Sequence, residues 1–467
     1  MVFASLVFLY GFLPLLLVCY FLVPEKLKNH VLLAASLLFY FYGEPVYFLL
    51  LLFALASGYL YGLALDRFRG SGAARFVFIS SLCISLGLLC YYKYAGFFLA
   101  TWQAIIGAKP APLRLVQPLG ISFYTFQIVS YLIDVYYGRV AAQKSFLKFA
   151  LYVSMFPQLI AGPIVRYTDV AAALDKRAAS TAEIAHGIRR FIVGLGKKVL
   201  LANTLGELCQ AVSPSGAGTA TAYWLAALAF TLQIYFDFSG YSDMAIGLGR
   251  IFGFHFPENF LYPFISRSIT EFWRRWHISL SSWFRDYVYI PLGGSRVAAG
   301  RFILNLAVVW FLTGFWHGAD WNFIAWGLYF ALLLLVEKFC LRGRLEKWPA
   351  FARHIYVLFF VVLGFVLFNA AGLSDGLGRI AAMFGLAGIP PADAVTLYHA
   401  RSYAVVLLVA ACGATPLPGM AVAVLKKCRG GRLCLFFVEP LFLLLVLLAV
   451  TAYLVDGSFN PFLYFRF

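Results

Sequence analysis

The stretch Phe3-Ala-Ser-Leu-Val-Phe-Leu-Tyr-Gly-Phe-Leu-Pro-Leu-Leu-Leu-Val-Cys-Tyr-Phe-Leu-Val23 contains no charged residue. A helix that crosses a bilayer upright needs about 20 consecutive apolar residues, and this run supplies them. It has no small-residue cleavage site and leads into Pro24-Glu-Lys, so it reads as a true span rather than a removable signal peptide. Further apolar runs follow near 30–43, 46–65, 76–92, 94–107, 119–138, 146–165, 188–205, 221–237, 302–316, 321–340, 354–371, 403–425 and 433–454. Several are too short for an upright crossing and are expected to be tilted or re-entrant. The composition agrees: 63% of residues are hydrophobic and 12% charged, with a mean hydropathy of +0.84. A soluble domain carries about 25% charged residues, so a water-facing surface cannot be built from this chain. The expectation is an all-α, polytopic integral membrane protein with roughly eleven transmembrane helices plus re-entrant and interfacial ones. With no internal repeat, long hydrophilic linker or low-complexity tail, residues 1–467 read as a single transmembrane domain.

The formal net charge is +17. Its cations cluster between apolar runs: Lys26 and Lys28; Arg67, Arg69 and Arg75; Arg342, Arg344, Lys347 and Arg353; Lys426, Lys427, Arg429 and Arg432. Such clustering marks cytoplasmic loops. It puts loops 66–75, 341–353 and 426–432 inside, and the start of the chain and the tail after the last span outside. With the charge so explained and no nucleic-acid module present, nucleic acid is not a partner; the lipid bilayer is. The 8 Cys show no CxxC or Cys/His ligand spacing. They read as small core residues, and no metal site is expected.

Residues 268–286 are the least simply apolar stretch. Ser268-Ile-Thr-Glu271 forms a capping box. The helix it opens should carry Trp273, Trp276, Leu280 and Trp283 on one stripe and Arg274, Ser281 and Arg285 on the other side. A Trp face opposite an Arg face suits a helix lying in the interface or lining a cavity, not a spanning one.

Two of the seven His stand apart. His277 follows Trp273-Arg-Arg-Trp, and His317 follows Phe315-Trp at the end of an apolar span, with Gly314 and Gly318 on either side. A neutral imidazole at membrane depth can serve as a general base near pH 7; it can equally be a packed ring bonded to a backbone carbonyl. Asp134, Asp237 and Asp243 are carboxylates in apolar surroundings. They either orient a catalytic group or pair with a cation to persist there, and pairing is the ordinary outcome. Gly293-Gly294 before Ser295 and Arg296 reads as a turn beside a weak anion contact. No GxSxG elbow, P-loop, dinucleotide fingerprint or HExxH occurs.

At these residues the sequence resembles the membrane-bound O-acyltransferase family, in particular its bacterial alginate O-acetylating branch. The similarity lies in Pro118-Leu-Gly-Ile-Ser-Phe-Tyr-Thr-Phe-Gln127, Phe156-Pro-Gln-Leu-Ile-Ala-Gly-Pro-Ile-Val-Arg166, Asp237-Phe-Ser-Gly-Tyr-Ser-Asp243-Met-Ala-Ile-Gly, Phe272 to Tyr287, Tyr289-Ile-Pro-Leu-Gly-Gly294 and Phe315-Trp-His-Gly318. The resemblance implies tilted helices around a funnel and His317 as the catalytic residue, with His277 on the helix that closes the tunnel. It implies an acyl thioester donor from the cytoplasm, acetyl-CoA first among them, with no bound cofactor. The acceptor would be an extracytoplasmic polysaccharide or cell-wall polymer, served with an esterase-like acetyltransferase partner, in the cytoplasmic membrane of a bacterium. Arg274, Arg275 and Arg285 either meet the phosphates of coenzyme A or anchor their helix among lipid headgroups. The terminal Asn460-Pro-Phe-Leu-Tyr-Phe-Arg-Phe467 is either an interfacial aromatic belt or, by its likeness to the tail of the peptide partner of teichoic-acid D-alanylation, a carrier of the acyl group on Tyr464.

Two other classes remain to be weighed. A transporter or polymer-export component would also cross the membrane many times, but more often shows inverted repeats or matched broken helices. A non-catalytic scaffold leaves the two His on Trp-rich motifs without a role.

Overall fold

The computed structural model describes residues 2–109, 113, 115–213, 218–457 and 463. Helix accounts for 76% of the structure, and no strand occurs among the described residues. The chain forms two compact units, Met1–Phe191 with Met244–Pro257, and Ile192–Asp243 with Glu258–Phe467.

In the first unit, α1 (Phe48–Arg67) and α2 (Gly72–Ile105) are apolar enough to span. The two runs expected at 76–92 and 94–107 are one helix of 34 residues, because a wide π turn at Cys90–Tyr94 carries the chain through without a break. Helix α3 (Ile121–Tyr136) is the core, buried at nearly every position from Ile121 to Val135. Gly58 and Gly62 of α1 let it approach: a Cβ on Gly62 would lie 2.7 Å from the Tyr131 ring. Gly120, at φ 73, opens α3 so close to the Leu159 carbonyl that a Cβ would lie 2.7 Å from it. That contact joins the motifs at 118–127 and 156–166, so their glycine and small residues are packing requirements. The run expected at 146–165 is broken: helix Phe146–Ser154 ends at Met155 (ψ 115), and only the short turn Phe156–Leu159 follows.

The second unit holds α4 (Ala220–Ile251, up to Asp243), α5 (Ile269–Arg275), α6 (Ile278–Phe284), α7 (Ala299–His317), α8 (Trp321–Phe339), α9 (Ala350–Asn369) and α10 (Arg429–Val455). Helices α7 to α10 complete the six that are long and apolar enough to cross a membrane among the described residues; the bent pair Ala394–Ser402 and Ala404–Gly413 would make seven. Helices α7 and α8 touch backbone to backbone. Gly314 meets the Phe323 carbonyl and Gly327 the Trp310 carbonyl, with only 2.2 Å left for a Cβ at either. This crossing fixes where His317 ends α7.

Three carboxylates expected to need partners have them: Asp134 with Arg139 at 3.0 Å, Asp237 with Lys198 at 2.6 Å and Asp243 with Lys197 at 2.7 Å. The cysteines depart from expectation. All eight are free, but only Cys209 is buried; the other seven lie on exposed faces, where a thiol behaves as a small apolar group against lipid.

Candidate active site

The helix expected across 268–286 is two helices. Ser268 does cap the first, accepting from the Glu271 amide at 2.9 Å, while Glu271 accepts from the Arg267 amide rather than from Ser268 itself. The break comes at His277, which sits at φ 44 and ψ 54. A non-glycine residue in the left-handed region turns the chain sharply. The expected separation into opposite Trp and Arg faces is therefore lost. Trp273, Arg274, Trp276, His277, Leu280, Ser281 and Arg285 all line one cavity of about 450 Å³.

The far wall is α7, which contributes Phe302, Leu306, Val309, Trp310, Thr313 and His317. These recur at helical spacing and make one continuous stripe; from Phe302 to His317 it extends about 22 Å. Lys338 and Leu334 of α8 close the Phe302 end, where the Lys338 ammonium lies 3.2 Å from the Phe302 ring centroid. The cavity is thus a largely apolar channel with the Lys338 ammonium at one end and the two imidazoles at the other. His317 is held by rings: Trp326 and Phe368 meet it edge-on, each with centroids 5.2 Å away. The His277 and His317 rings are 6.5 Å apart.

The tautomer of His277 follows from its neighbours. Asn259, fully buried, accepts on Oδ1 from the Ser279 amide (3.2 Å) and the Ser279 hydroxyl (2.9 Å), and its Nδ2 donates to Ser242 Oγ (3.0 Å). The same Oδ1 lies 3.1 Å from His277 Nδ1, so Nδ1 must carry the proton. Nε2 keeps the lone pair and makes no hydrogen bond among the described residues. Burial, at 2% exposure, pushes the imidazole pKa down to about 3, so the ring is neutral. Trp273 Nε1 is also buried and makes no hydrogen bond among the described residues. Both residues line the cavity, while these two ring atoms are themselves buried behind its surface.

Of the residues singled out from sequence, His277, His317, Arg274 and Arg285 come together here. Arg285 is shared with Asp286, bonded through Nε at 2.6 Å and Nη2 at 3.1 Å. Arg275 is not among the lining residues. It bonds Glu271 at 2.9 Å and the Leu261 carbonyl at 3.1 Å, and so ties α5 to the preceding loop. Tyr464 lies outside the described residues. Sequence reading missed Lys338, Asn259 and Glu337. Glu337, buried on α8, accepts from the Ile269 amide, from the Thr270 amide at 2.9 Å and from the Thr270 hydroxyl at 2.6 Å, and so caps the N-terminus of α5. The only signal for Glu337 and Lys338 was their standing as a charged Glu-Lys pair inside an otherwise apolar run.

A cavity lined by two spanning helices and carrying two imidazoles at one end fits an integral-membrane enzyme, and comparison with known proteins shows that the class is an acyltransferase. The chain belongs to the membrane-bound O-acyltransferase family, whose model matches residues 139–374. It is 42% identical over 393 residues to the probable alginate O-acetylase AlgI of Azotobacter vinelandii, covering 82% of this chain and 78% of that protein. It is 33% identical over 429 residues to the peptidoglycan O-acetyltransferase of Helicobacter pylori, covering 83% and 81%. It is 28% identical over 339 residues to the teichoic acid D-alanyltransferase of Bacillus subtilis, covering 68% and 82%.

Proposed function

We propose that this enzyme moves an acetyl group from a phosphopantetheine thioester, acetyl-CoA in the first instance, to hydroxyls of an extracytoplasmic polysaccharide or cell-wall polymer. The carrying observation is the channel along α7. Its Phe302 end is the one nearest the basic loop 341–353, because α8 runs from the His317 end to that loop. By the positive-inside rule that end faces the cytoplasm. A thin, largely uncharged thioester arm fits an apolar channel, with its phosphate near Arg274, Arg285 and Lys338 and its carbonyl at the imidazoles. Acetyl is favoured over D-alanyl because identity is higher to the O-acetylating relatives.

His317 acts as the general base. It takes the proton of the attacking hydroxyl as that oxygen bonds to the thioester carbonyl carbon. The tetrahedral intermediate then expels the thiolate, which recovers the proton from the imidazolium, leaving an ester and a free thiol. His277 stands beside His317 and shapes that end of the channel; an imidazole with a pKa near 3 is too weak a base to drive the transfer itself. Tyr464 serves as an acyl relay on the outer side, passing the group to the polymer or to an esterase-like partner. The enzyme works as one domain, with about eleven crossings, in a bacterial cytoplasmic membrane.

The deciding experiment is His317→Ala in purified, lipid-reconstituted protein. General-base catalysis contributes about 10²- to 10⁴-fold, so transfer from acetyl-CoA should fall at least a hundredfold with melting behaviour intact. Retention of more than about a tenth of the wild-type rate overturns the assignment. Tyr464→Phe with the wild-type rate excludes the relay.

A further inference from the structure

The motif Asp237-Phe-Ser-Gly-Tyr-Ser-Asp243 supports His277 through Phe238 and Ser242, but none of its residues lines the cavity, and its two carboxylates have no part there. Its midpoint, Gly240, is where α4 meets the chain around residues 194–198: a Cβ there would lie 2.7 Å from the Gly194 carbonyl and 3.1 Å from the Lys198 amide. The segment Lys197–Asn203 is wound as a π-helix, and its two adjacent lysines reach the carboxylates on either side of that crossing. The pairs differ in surroundings. Lys197 and Asp243 keep side-chain exposures of 23% and 15%, a clamp at the edge; Lys198 and Asp237 keep 4% and 5%. One clamp suffices to hold a crossing that glycine already permits. A second ion pair, wholly buried, carries a desolvation cost and asks for another role.

The other oxygen of Asp237 indicates that role. Oδ1 takes Lys198, whose ammonium also donates to Asn203 Oδ1 at 3.1 Å, while Oδ2 accepts from the Leu463 amide at 3.1 Å. Leu463 is 4% exposed and packs in the same core as Phe236, Ala410 and Ala414. We infer that the Asp237–Lys198 pair is an internal anchor for the chain at Leu463, with Lys198 holding the carboxylate in place and Asp237 gripping the Leu463 peptide. A carboxylate is the right group for this: it accepts from a buried N–H strongly while its charge stays balanced by the ammonium. Tyr464, the next residue in the sequence, is outside the described residues. On the reading of Tyr464 as acyl relay, Asp237 is a positioning residue for the transfer.

Asp237→Asn alone would leave Lys198 buried without a counter-charge, so the test uses charge-neutral pairs in the full chain. Lys198→Met with Asp237→Asn keeps an acceptor oxygen; Lys198→Met with Asp237→Leu removes it. Hydrogen–deuterium exchange of the peptide containing Leu463 reads the anchor directly, and acetyl transfer is measured on the same samples. The wild type and the asparagine pair should both protect this amide and acetylate at similar rates. The leucine pair should exchange it at least about tenfold faster and lose about tenfold or more in transfer. Wild-type protein that shows no protection there overturns the anchor even if the leucine pair does not fold, as does undiminished protection in a folded leucine pair. Fast exchange in the leucine pair with the wild-type rate of transfer overturns the positioning role. His317→Ala separates this from the broader reading: if it stays active, the catalytic assignment fails while protection of Leu463 still reports on the anchor.

Discussion

His277 combines three unusual properties in one residue: a left-handed backbone, complete burial and a fixed tautomer. The backbone alone costs about 1–3 kcal/mol in a non-glycine residue and persists because Asn259 and Ser279 over-determine it. Its depressed pKa also sets a pH dependence. The folded value of about 3 lies below the ordinary value near 6.5, so between them the unfolded chain binds more protons. The contribution of His277 to stability is therefore complete above about pH 6.5 and declines as the pH falls towards 3. Asparagine tolerates the left-handed region, so His277→Asn should fold, lose about tenfold or more in rate, and melt with a shallower acid dependence. The acid limb of its pH–rate profile should stay where it is in wild type; a limb that disappears makes His277, not His317, the titrating base. The two imidazoles were legible in the sequence because each sits in a Trp-rich motif where a bland polar residue is out of place. Asn259 was not, because its meaning arises only when a turn brings it against a ring eighteen positions on.

At the scale of elements, the short helix α5 depends on a spanning one. Its first amides are buried and would be unsatisfied if the Glu337 carboxylate on α8 did not accept them. Because α5 carries Trp273 and Arg274 and leads directly into His277, its cap is also the support of the cavity wall. Glu337→Gln keeps the size but removes the charge and turns an N–H group towards donors. It should cost about 1–3 kcal/mol, seen as a lowered melting temperature, and reduce kcat/KM by about tenfold. Unchanged melting and kinetics would show that water replaces the cap. The spanning helices themselves were readable from hydropathy, which is why 302–316, 321–340 and 354–371 correspond closely to α7, α8 and α9. Runs such as 146–165 misled for the same reason: an apolar segment buried in protein looks like one facing lipid, and only tertiary contacts reveal the break at Met155. The division of α5 from α6 was hidden because helical spacing continues through the sequence while the backbone at His277 does not.

At the scale of the whole molecule, and on the proposed function, the direction of α7 and α8 relative to the basic loop gives the channel a polarity: the Lys338 end would take a cytoplasmic donor and the imidazole end an outer hydroxyl. Binding energy from the remote, non-reacting part of a donor can then be used to hold the thioester at the far end. This makes a separable prediction. Acetyl-pantetheine carries the same thioester and arm without the phosphates and adenosine of acetyl-CoA. It should be a substrate, with kcat/KM lower by about 10- to 100-fold, equivalent to the loss of one or two charge-assisted contacts. Lys338→Met and Arg274→Gln should each lower kcat/KM for acetyl-CoA by about tenfold, yet leave acetyl-pantetheine almost unaffected, because the group those cations meet is already missing. Arg275→Gln, turned to Glu271 and Leu261, should change both donors alike, through stability. If Lys338→Met and Arg274→Gln instead reduce both donors equally, the cations anchor the protein in its membrane and do not read the phosphate. The donor would then have to be recognised outside the channel, as by docking of a carrier protein.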